Sequence, residues 1–481
     1  MATEDLTDTA GNTAGVAADQ AGQLEAHGID HIPDGERHGR PRQLFSVWAA
    51  PNVSYLSLVV GGALVLMGLT LGQALVVIVA GNLLWGLTGV LAVSGPAAGT
   101  TGSVISRAMY GTVGNKVVIA LTGWLISAAY LALNWSAASV AGIGLAGRIG
   151  APDSPVVDAV IICGIAAATL VVGVYGHATI VRLHAVLSVA LTLVFVVVSG
   201  YVLGHTDWSY RPAEPLHGAG LWVTLAGGFA LIASTPLSYG NSPDLARYLP
   251  RGSKPVAVAG WTALGAFPPS VLFTGIGALA ATTLDMSDPQ AALEKILPGW
   301  FVPVFVIAVV LNTVANNGLT AYSAGLTLQS IGVRLGRVLA VLIIGVPATA
   351  MTLYALLLFD FLTSVNTMLE LVVVVTGPSV GVYVTDICIC RNRYDGRQLL
   401  DERRGSPFWY DAGVNRAGVA AFLSGAAAGV LCVRTSFWTG PVASLSGGAN
   451  LSLVGGLVVS AAVYWGLGRT RRRSVITVPG S

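Results

Sequence analysis

Charge is scarce in this chain. Asp, Glu, Lys and Arg make up 10% of its 481 residues, whereas a soluble domain carries about 25%. That shortage excludes an ordinary water-soluble fold. Lysine is scarcer still, with Lys116, Lys254 and Lys295 the whole supply. The basic residues are spread along the chain and form no basic patch, so nucleic acid is not an expected partner. Four cysteines (Cys163, Cys388, Cys390, Cys432) sit in or beside apolar segments. They suggest neither a disulfide framework nor a zinc site. There is no nucleophile triad, no metal-ligand cluster and no phosphate loop, because the glycines fall in apolar stretches without a strand–loop–helix context. No cofactor is expected, and the chain does not read as an enzyme.

What is abundant is apolar sequence, at 54% of residues, together with 60 glycines. A run of about 20 apolar residues crosses the hydrocarbon core of a bilayer. Twelve such runs occur between residues 44 and 468, and they predict an all-α polytopic membrane protein. Residues 1–42 are polar and small, without the apolar core of a signal peptide, and read as a disordered cytoplasmic tail. A ten-helix core follows over 43–390, then a solvated cytoplasmic loop over 391–414, two further helices over 415–468 and a cytoplasmic tail over 469–481. With the N-terminus inside, only Arg148, Arg211, Lys295 and Arg434 of 25 basic residues fall on the outer side. The positive-inside rule then puts both termini in the cytoplasm. The preference for Arg over Lys and the Ala, Gly and Val content fit a bacterial inner membrane.

Polar groups at membrane depth mark where function could sit. Each unsatisfied polar group in lipid costs several kcal/mol, so such side chains face other helices or a wet cavity. The eighth run holds Asn312, Thr313, Asn316, Asn317, Thr320, Tyr322 and Ser323 within about four turns. The first run is interrupted at Pro51-Asn52-Val53-Ser54-Tyr55. Carbonyls freed there could bind a cation or a polar solute, and a proline kink closed by neighbouring helices accounts for the same residues. In the third run Tyr130 and Asn134 share a helix face. An aromatic face beside an amide suits a flat heterocycle; a helix–helix hydrogen bond is the alternative. The sixth run ends in a Pro- and Gly-broken stretch from Ser234 through Ser238 to Pro250. Within it, Asp244 and Arg247 suggest a structural or gating pair. Glu370 stands two turns inside the tenth run, as a proton carrier or as an outer interfacial carboxylate. His177 and His184, at the start of the fifth, are expected at the inner interface.

Five pieces, in order along nearly the whole chain, resemble the nucleobase:cation symporter family of cytosine, purine, allantoin and hydantoin permeases. They are WAAPNVSYLSLVVGG, GPAAGTTGSVISRAMYG, SYGNSPDLARYLP, NTVANNGLTAYSAGLTLQSIG and GPVASLSGGANLSLVGGLVVSAAVYW. The resemblance implies a LeuT-type fold of five plus five helices in inverted repeat, with two added at the C-terminus. It implies a monomer importing a small heterocycle with a co-transported H+ or Na+. It implies Tyr130 as the stacking residue and Asn134 as the base-bonding amide. Asn52, Ser234, Ser238, Asn312, Asn316 and Asn317 complete the expected substrate site. Val53, Ser54, Asn316 and Glu370 are the candidates for cation coupling. Sodium-coupled relatives place paired hydroxyls on the eighth span where this chain has Ala315 and Asn316, so a proton is the expected ion. Cytosine or a purine is the expected solute, with allantoin, hydantoin, a nucleoside or a thiamine-like vitamin as alternatives. A transport-inactive membrane sensor is the alternative of another class.

Overall fold

The computed structural model describes residues 28–468, apart from Gly176, Phe359, Asp360 and Ser436. Its regular structure is helical, with two isolated β-bridges and no strand among the described residues. The helices used below are α1 (Gln43–Asn52), α2 (Tyr55–Leu66), α3 (Leu71–Ala98), α4 (Thr112–Arg148), α5 (Pro155–Tyr175), α6 (His177–His205) and α7 (Gly218–Ser238). They continue with α8 (Pro255–Ala280), α9 (Val302–Ser330), α10 (Arg337–Leu358), α11 (Phe361–Cys390), α12 (Arg416–Cys432) and α13 (Ser452–Gly468). Among the described residues nine helices or joined helices are long and apolar enough to span, and α1 and α2 together make a tenth. The shorter apolar helices α12 and α13 bring the total to the twelve expected.

The first span breaks where the sequence breaks it. Pro51 closes α1, and Ser54 adopts an extended backbone whose hydroxyl caps α2 by accepting the Leu56 N–H at 3.2 Å. The two halves bend by 55°. The sixth span also breaks, after Ser238. Freed backbone groups at membrane depth need partners, and Thr88 of α3 serves both sides of this break. Its hydroxyl donates to the Pro236 carbonyl at 2.6 Å, and its carbonyl accepts from the Ser242 hydroxyl at 2.9 Å. The two breaks face one another at the centre of the bundle, beside α9.

Helix α2 crosses α8 with backbone against backbone. A Cβ on Gly61 would run into the Thr274 carbonyl, and one on Gly277 into the Leu58 carbonyl. Glycine at both positions lets the broken span lie this close to its neighbour. Helices α12 and α13 pack on each other and on α11, and no side chain of either reaches the central cavity described below.

Two expectations are corrected at the arginine-rich end. The tail expected over 1–42 is packed from Gly28 onward; residues 1–27 and 469–481 lie outside the described part. The Ile32 N–H donates to the Gly99 carbonyl, Thr100 to the Ile29 carbonyl, and Arg37 to the Pro96 carbonyl. Arg247 donates to the Gly28 carbonyl at 2.7 Å. The segment is held by its backbone, which composition does not report. The 391–414 loop is likewise docked and not merely solvated. Buried Arg107 donates to the Leu399 carbonyl and to Glu402, which also takes Lys116 at 3.0 Å. Burial lowers the Arg107 pKa from its ordinary value, and Glu402 opposes that shift.

Candidate functional site

A narrow central cavity lies between the two breaks. Its wall is built from Pro51, Asn52, Ser54 and Ser57 of the first span, Tyr130 and Asn134 of α4, Thr235 and Tyr239 at the sixth-span break, and Asn316 of α9. Asn82, Ser270 and Thr274 close the far side. Helix geometry puts Tyr130 and Asn134 on one face, as four-residue spacing requires. A π-helical segment, Ala120–Leu125, precedes them and resets the register of α4.

The amides in this wall are oriented by their own helices. Asn134 donates its Nδ2 to the Tyr130 carbonyl at 2.9 Å, and Asn52 does the same to the Trp48 carbonyl at 2.8 Å. An amide nitrogen must be the partner of a carbonyl, so both side-chain oxygens are left as acceptors for a solute. Neither takes another hydrogen bond among the described residues. Asn316 has the opposite polarity. Its Oδ1 accepts from the Tyr239 hydroxyl at 3.4 Å, which leaves its NH2 as a donor. The Asn82 oxygen is saturated, accepting from Ser270 at 2.6 Å and Trp85 at 3.2 Å, while its NH2 donates to the Ile78 carbonyl. It braces α3 against α8 and has little left to offer a ligand.

Aromatic faces complete the wall. Tyr239 packs on Trp48 and Trp85 with ring centroids 5.1 and 5.4 Å away, and Trp48 and Trp85 are 5.7 Å apart. This cluster fixes the Tyr239 ring from behind. The Tyr130 hydroxyl is buried beside Ser234, Thr235 and Ser238 and has no hydrogen-bond partner of good geometry among the described residues.

The structure gathers some of the expected residues and separates others. Asn52, Ser54, Tyr130, Asn134 and Asn316 meet in the cavity. Val53 is buried in the apolar core at the break and does not line the cavity. Ser234 turns back onto the Leu231 carbonyl at 2.6 Å. Ser238 faces a second chamber, toward the arginine-rich end, with Tyr110, Ser127, Asn241, Ser379 and Tyr383. Asn312 donates to the Ala50 carbonyl at 3.2 Å, and Asn317 to the Leu131 carbonyl at 3.2 Å, so these two amides tie α9 to α1 and α4. Glu370 is outside the cavity, within electrostatic reach of Arg434. Asp244 accepts the Gly102 N–H at 2.8 Å, and Arg247 donates to the Tyr322 hydroxyl at 3.0 Å. His184 is not at an interface as expected. It is fully buried between α6, α1 and α9. The side chain of His177 lies outside the described part.

Asn82, Ser270, Thr274 and Ser57 were not singled out by sequence reasoning, whereas Thr235 and Tyr239 belong to the broken sixth-span stretch whose hydroxyls could be expected to face the cavity. A signal existed for Asn82, an amide at membrane depth in an otherwise apolar run. Tyr239 stood within the broken stretch, but its aromatic backing comes from other helices.

Solved structures show the same fold. Mhp1, a nucleobase-cation-symport-1 family transporter, in a closed conformation with bromovinylhydantoin bound, superposes with a TM-score of 0.75 at 19% identity, over 94% of this chain and 97% of that one. Its inward-facing conformation gives 0.71 at 18% identity, over 94% and 96%. A sodium-coupled sialic acid symporter in a substrate-bound outward-open state gives 0.59 at 10% identity, over 91% of each chain. The fold is that of a LeuT-type membrane transporter, and the family match makes the chain a permease and not an enzyme. The chain belongs to the family of permeases for cytosine/purines, uracil, thiamine and allantoin, which it matches over residues 31–456. A Bacillus subtilis (strain 168) protein provisionally named purine-cytosine permease YxlA is 24% identical over 466 residues, 93% of this chain and 97% of the relative. The resemblance read from the five sequence pieces is thereby borne out.

Proposed function

We propose that the chain imports a flat nitrogenous heterocycle, cytosine or a purine base, by symport with a proton. The observation that carries this reading is the polarity of the cavity. Asn52 and Asn134 offer acceptors, Asn316 offers a donor, and Tyr130 and Tyr239 offer aromatic faces. A nucleobase carries N–H donors and ring acceptors (a ring nitrogen or a carbonyl) along its edges and π-faces on both sides, so it answers all three. A wrong analogue would leave buried polar atoms unpaired, which is the strongest form of discrimination available to such a site.

A proton is favoured over sodium by the state of the oxygens where α1 meets α9. A hard cation takes several oxygen ligands. Here the Ala50 carbonyl already accepts from Asn312, those of Val47 and Ala315 face the His184 ring, and the Ala315 side chain brings no oxygen. In this reading the protein works as a monomer in the bacterial inner membrane with both termini cytoplasmic. The arginine partition and the bacterial relative support that placement. The ten helices over 43–390 carry transport, and those over 415–468 brace them.

The test is uptake of labelled cytosine in cells lacking their own base permeases, challenged with adenine, uracil, allantoin or hydantoin, with and without sodium. Saturable uptake that rises at acid pH without sodium is the expected result. Sodium dependence at fixed pH and membrane potential would overturn the choice of ion, and no base uptake by a well-expressed protein would overturn the choice of solute.

A further inference from the structure

One buried titratable group has no part in the solute cavity. His184 of α6 is 0% exposed at membrane depth, where an ionisable side chain is costly and is retained for a reason. Its ring sits between the backbones of two other spans. Nε2 is 3.0 Å from the Ala315 carbonyl of α9, and Nδ1 is 3.4 Å from the Val47 carbonyl of α1.

A carbonyl oxygen can only accept, and a neutral imidazole has a single N–H. Facing two carbonyls, a neutral ring satisfies one and turns its other lone pair against an oxygen. Only the doubly protonated ring donates to both. The second proton costs desolvation and gains a charge-assisted hydrogen bond. Among the described residues no charged side chain competes for the ring. Helices α1 and α8, both packed on α6, carry no titratable residue. Helix α9 brings Tyr322, engaged by Arg247, and α5 brings Asp158, Cys163 and Tyr175. On α6 itself the groups are His177, exposed Arg182, Tyr201 and His205.

Both carbonyls lie next to the cavity wall. Val47 precedes Trp48, whose ring backs Tyr239 and whose carbonyl holds Asn52. Ala315 precedes Asn316, which accepts from the Tyr239 hydroxyl. The charge on His184 is therefore one residue from the solute site on each side.

We propose that His184 is the binding site of the co-transported proton, an inference that rests on the proton-symport reading. The proton enters from outside and bonds to the Nδ1 lone pair. The imidazolium then joins α1 to α9 through Nδ1–H to Val47 and Nε2–H to Ala315. Release of the same proton inward restores the lone pair at Nδ1, which repels the Val47 oxygen and frees α1 from α9. The solute and the proton thus stabilise the same closed arrangement.

The test compares wild-type protein with His184→Gln and His184→Lys in proteoliposomes, by two readouts. One is accumulation of labelled cytosine driven by a pH gradient, and the other is counterflow of labelled against unlabelled cytosine with no gradient. Counterflow needs the solute site and the conformational cycle but no net proton movement. The proposal expects at least one variant to lose concentrative uptake and its pH dependence while retaining counterflow. A variant that accumulates solute with the wild-type pH dependence overturns it, and so does loss of counterflow in both variants, which would make the ring structural. Wild-type accumulation driven by sodium and indifferent to pH would instead overturn the proton-symport reading beneath it.

Discussion

Replacing Asn134 with alanine removes one solute acceptor from the cavity while leaving the fold nearly untouched. The side-chain Nδ2 bond to the Tyr130 carbonyl also goes, but a carbonyl inside a helix keeps its backbone donor, so the helix loses little. The solute loses more. Its N–H, desolvated in the cavity, is left without a partner, and a buried unpaired donor costs about 1–3 kcal/mol. At 1.4 kcal/mol per decade that weakens binding about 5- to 150-fold, and a loss of uptake of the same size is expected at low substrate. The assay is uptake against concentration, normalised to protein in the membrane, with binding to purified protein alongside. Asn317→Ala is the contrast. That amide serves the Leu131 carbonyl and not the cavity, so its loss should lower thermal stability and leave affinity unchanged. Equal affinities for wild type and Asn134→Ala, in well-expressed protein, would remove Asn134 from the site.

Other expectations follow from the packing. Gly277→Val drives a side chain into the Leu58 backbone, where neither helix can yield. Overpacking of this kind costs about 1–3 kcal/mol and should show as a lower melting temperature and reduced membrane yield. Glu402→Gln leaves Arg107 and Lys116 without their shared carboxylate. Glu402 is half-exposed, so a drop of about 1 kcal/mol is expected, read as faster proteolysis of the 391–414 loop. Near the N-terminus, His31 Nε2 faces the Arg37 guanidinium at 3.1 Å and must accept there. Burial, and then Arg37, lower the His31 pKa below its ordinary value. Its contribution is present above about pH 6.5 and is lost as pH falls toward the depressed value. Labelling of Ile32→Cys, taken relative to the denatured protein at each pH because the thiolate fraction falls with pH, should accelerate on acidification, and a His31→Gln background, which keeps an acceptor, should abolish that acceleration.

The first-span break was legible because Pro51 interrupts the apolar run, and the third-span pair because spacing alone puts Tyr130 and Asn134 on one face. The seam of α9 was legible as a seam but not residue by residue. Asn312, Asn316 and Asn317 occur within six positions yet point to α1, to the cavity and to α4 respectively. Which amide faces inward depends on the rotation of α9 against its neighbours, which a hydropathy pattern does not encode. The Tyr239 backing needs Trp48, Trp85 and Tyr239 from three separate spans. His184 looked interfacial because it stands at the start of the fifth run, and only tertiary packing shows it enclosed. The order of residues 28–42 was missed because backbone carbonyls hold that segment.

The most direct test is a structure of the protein with its best-competing base bound. The account predicts the ring in the central cavity, against the faces of Tyr130 and Tyr239, with N–H groups on the oxygens of Asn52 or Asn134 and a ring acceptor toward Asn316. A base lodged instead in the chamber of Ser238, Tyr110 and Tyr383, with the central cavity empty, would contradict it.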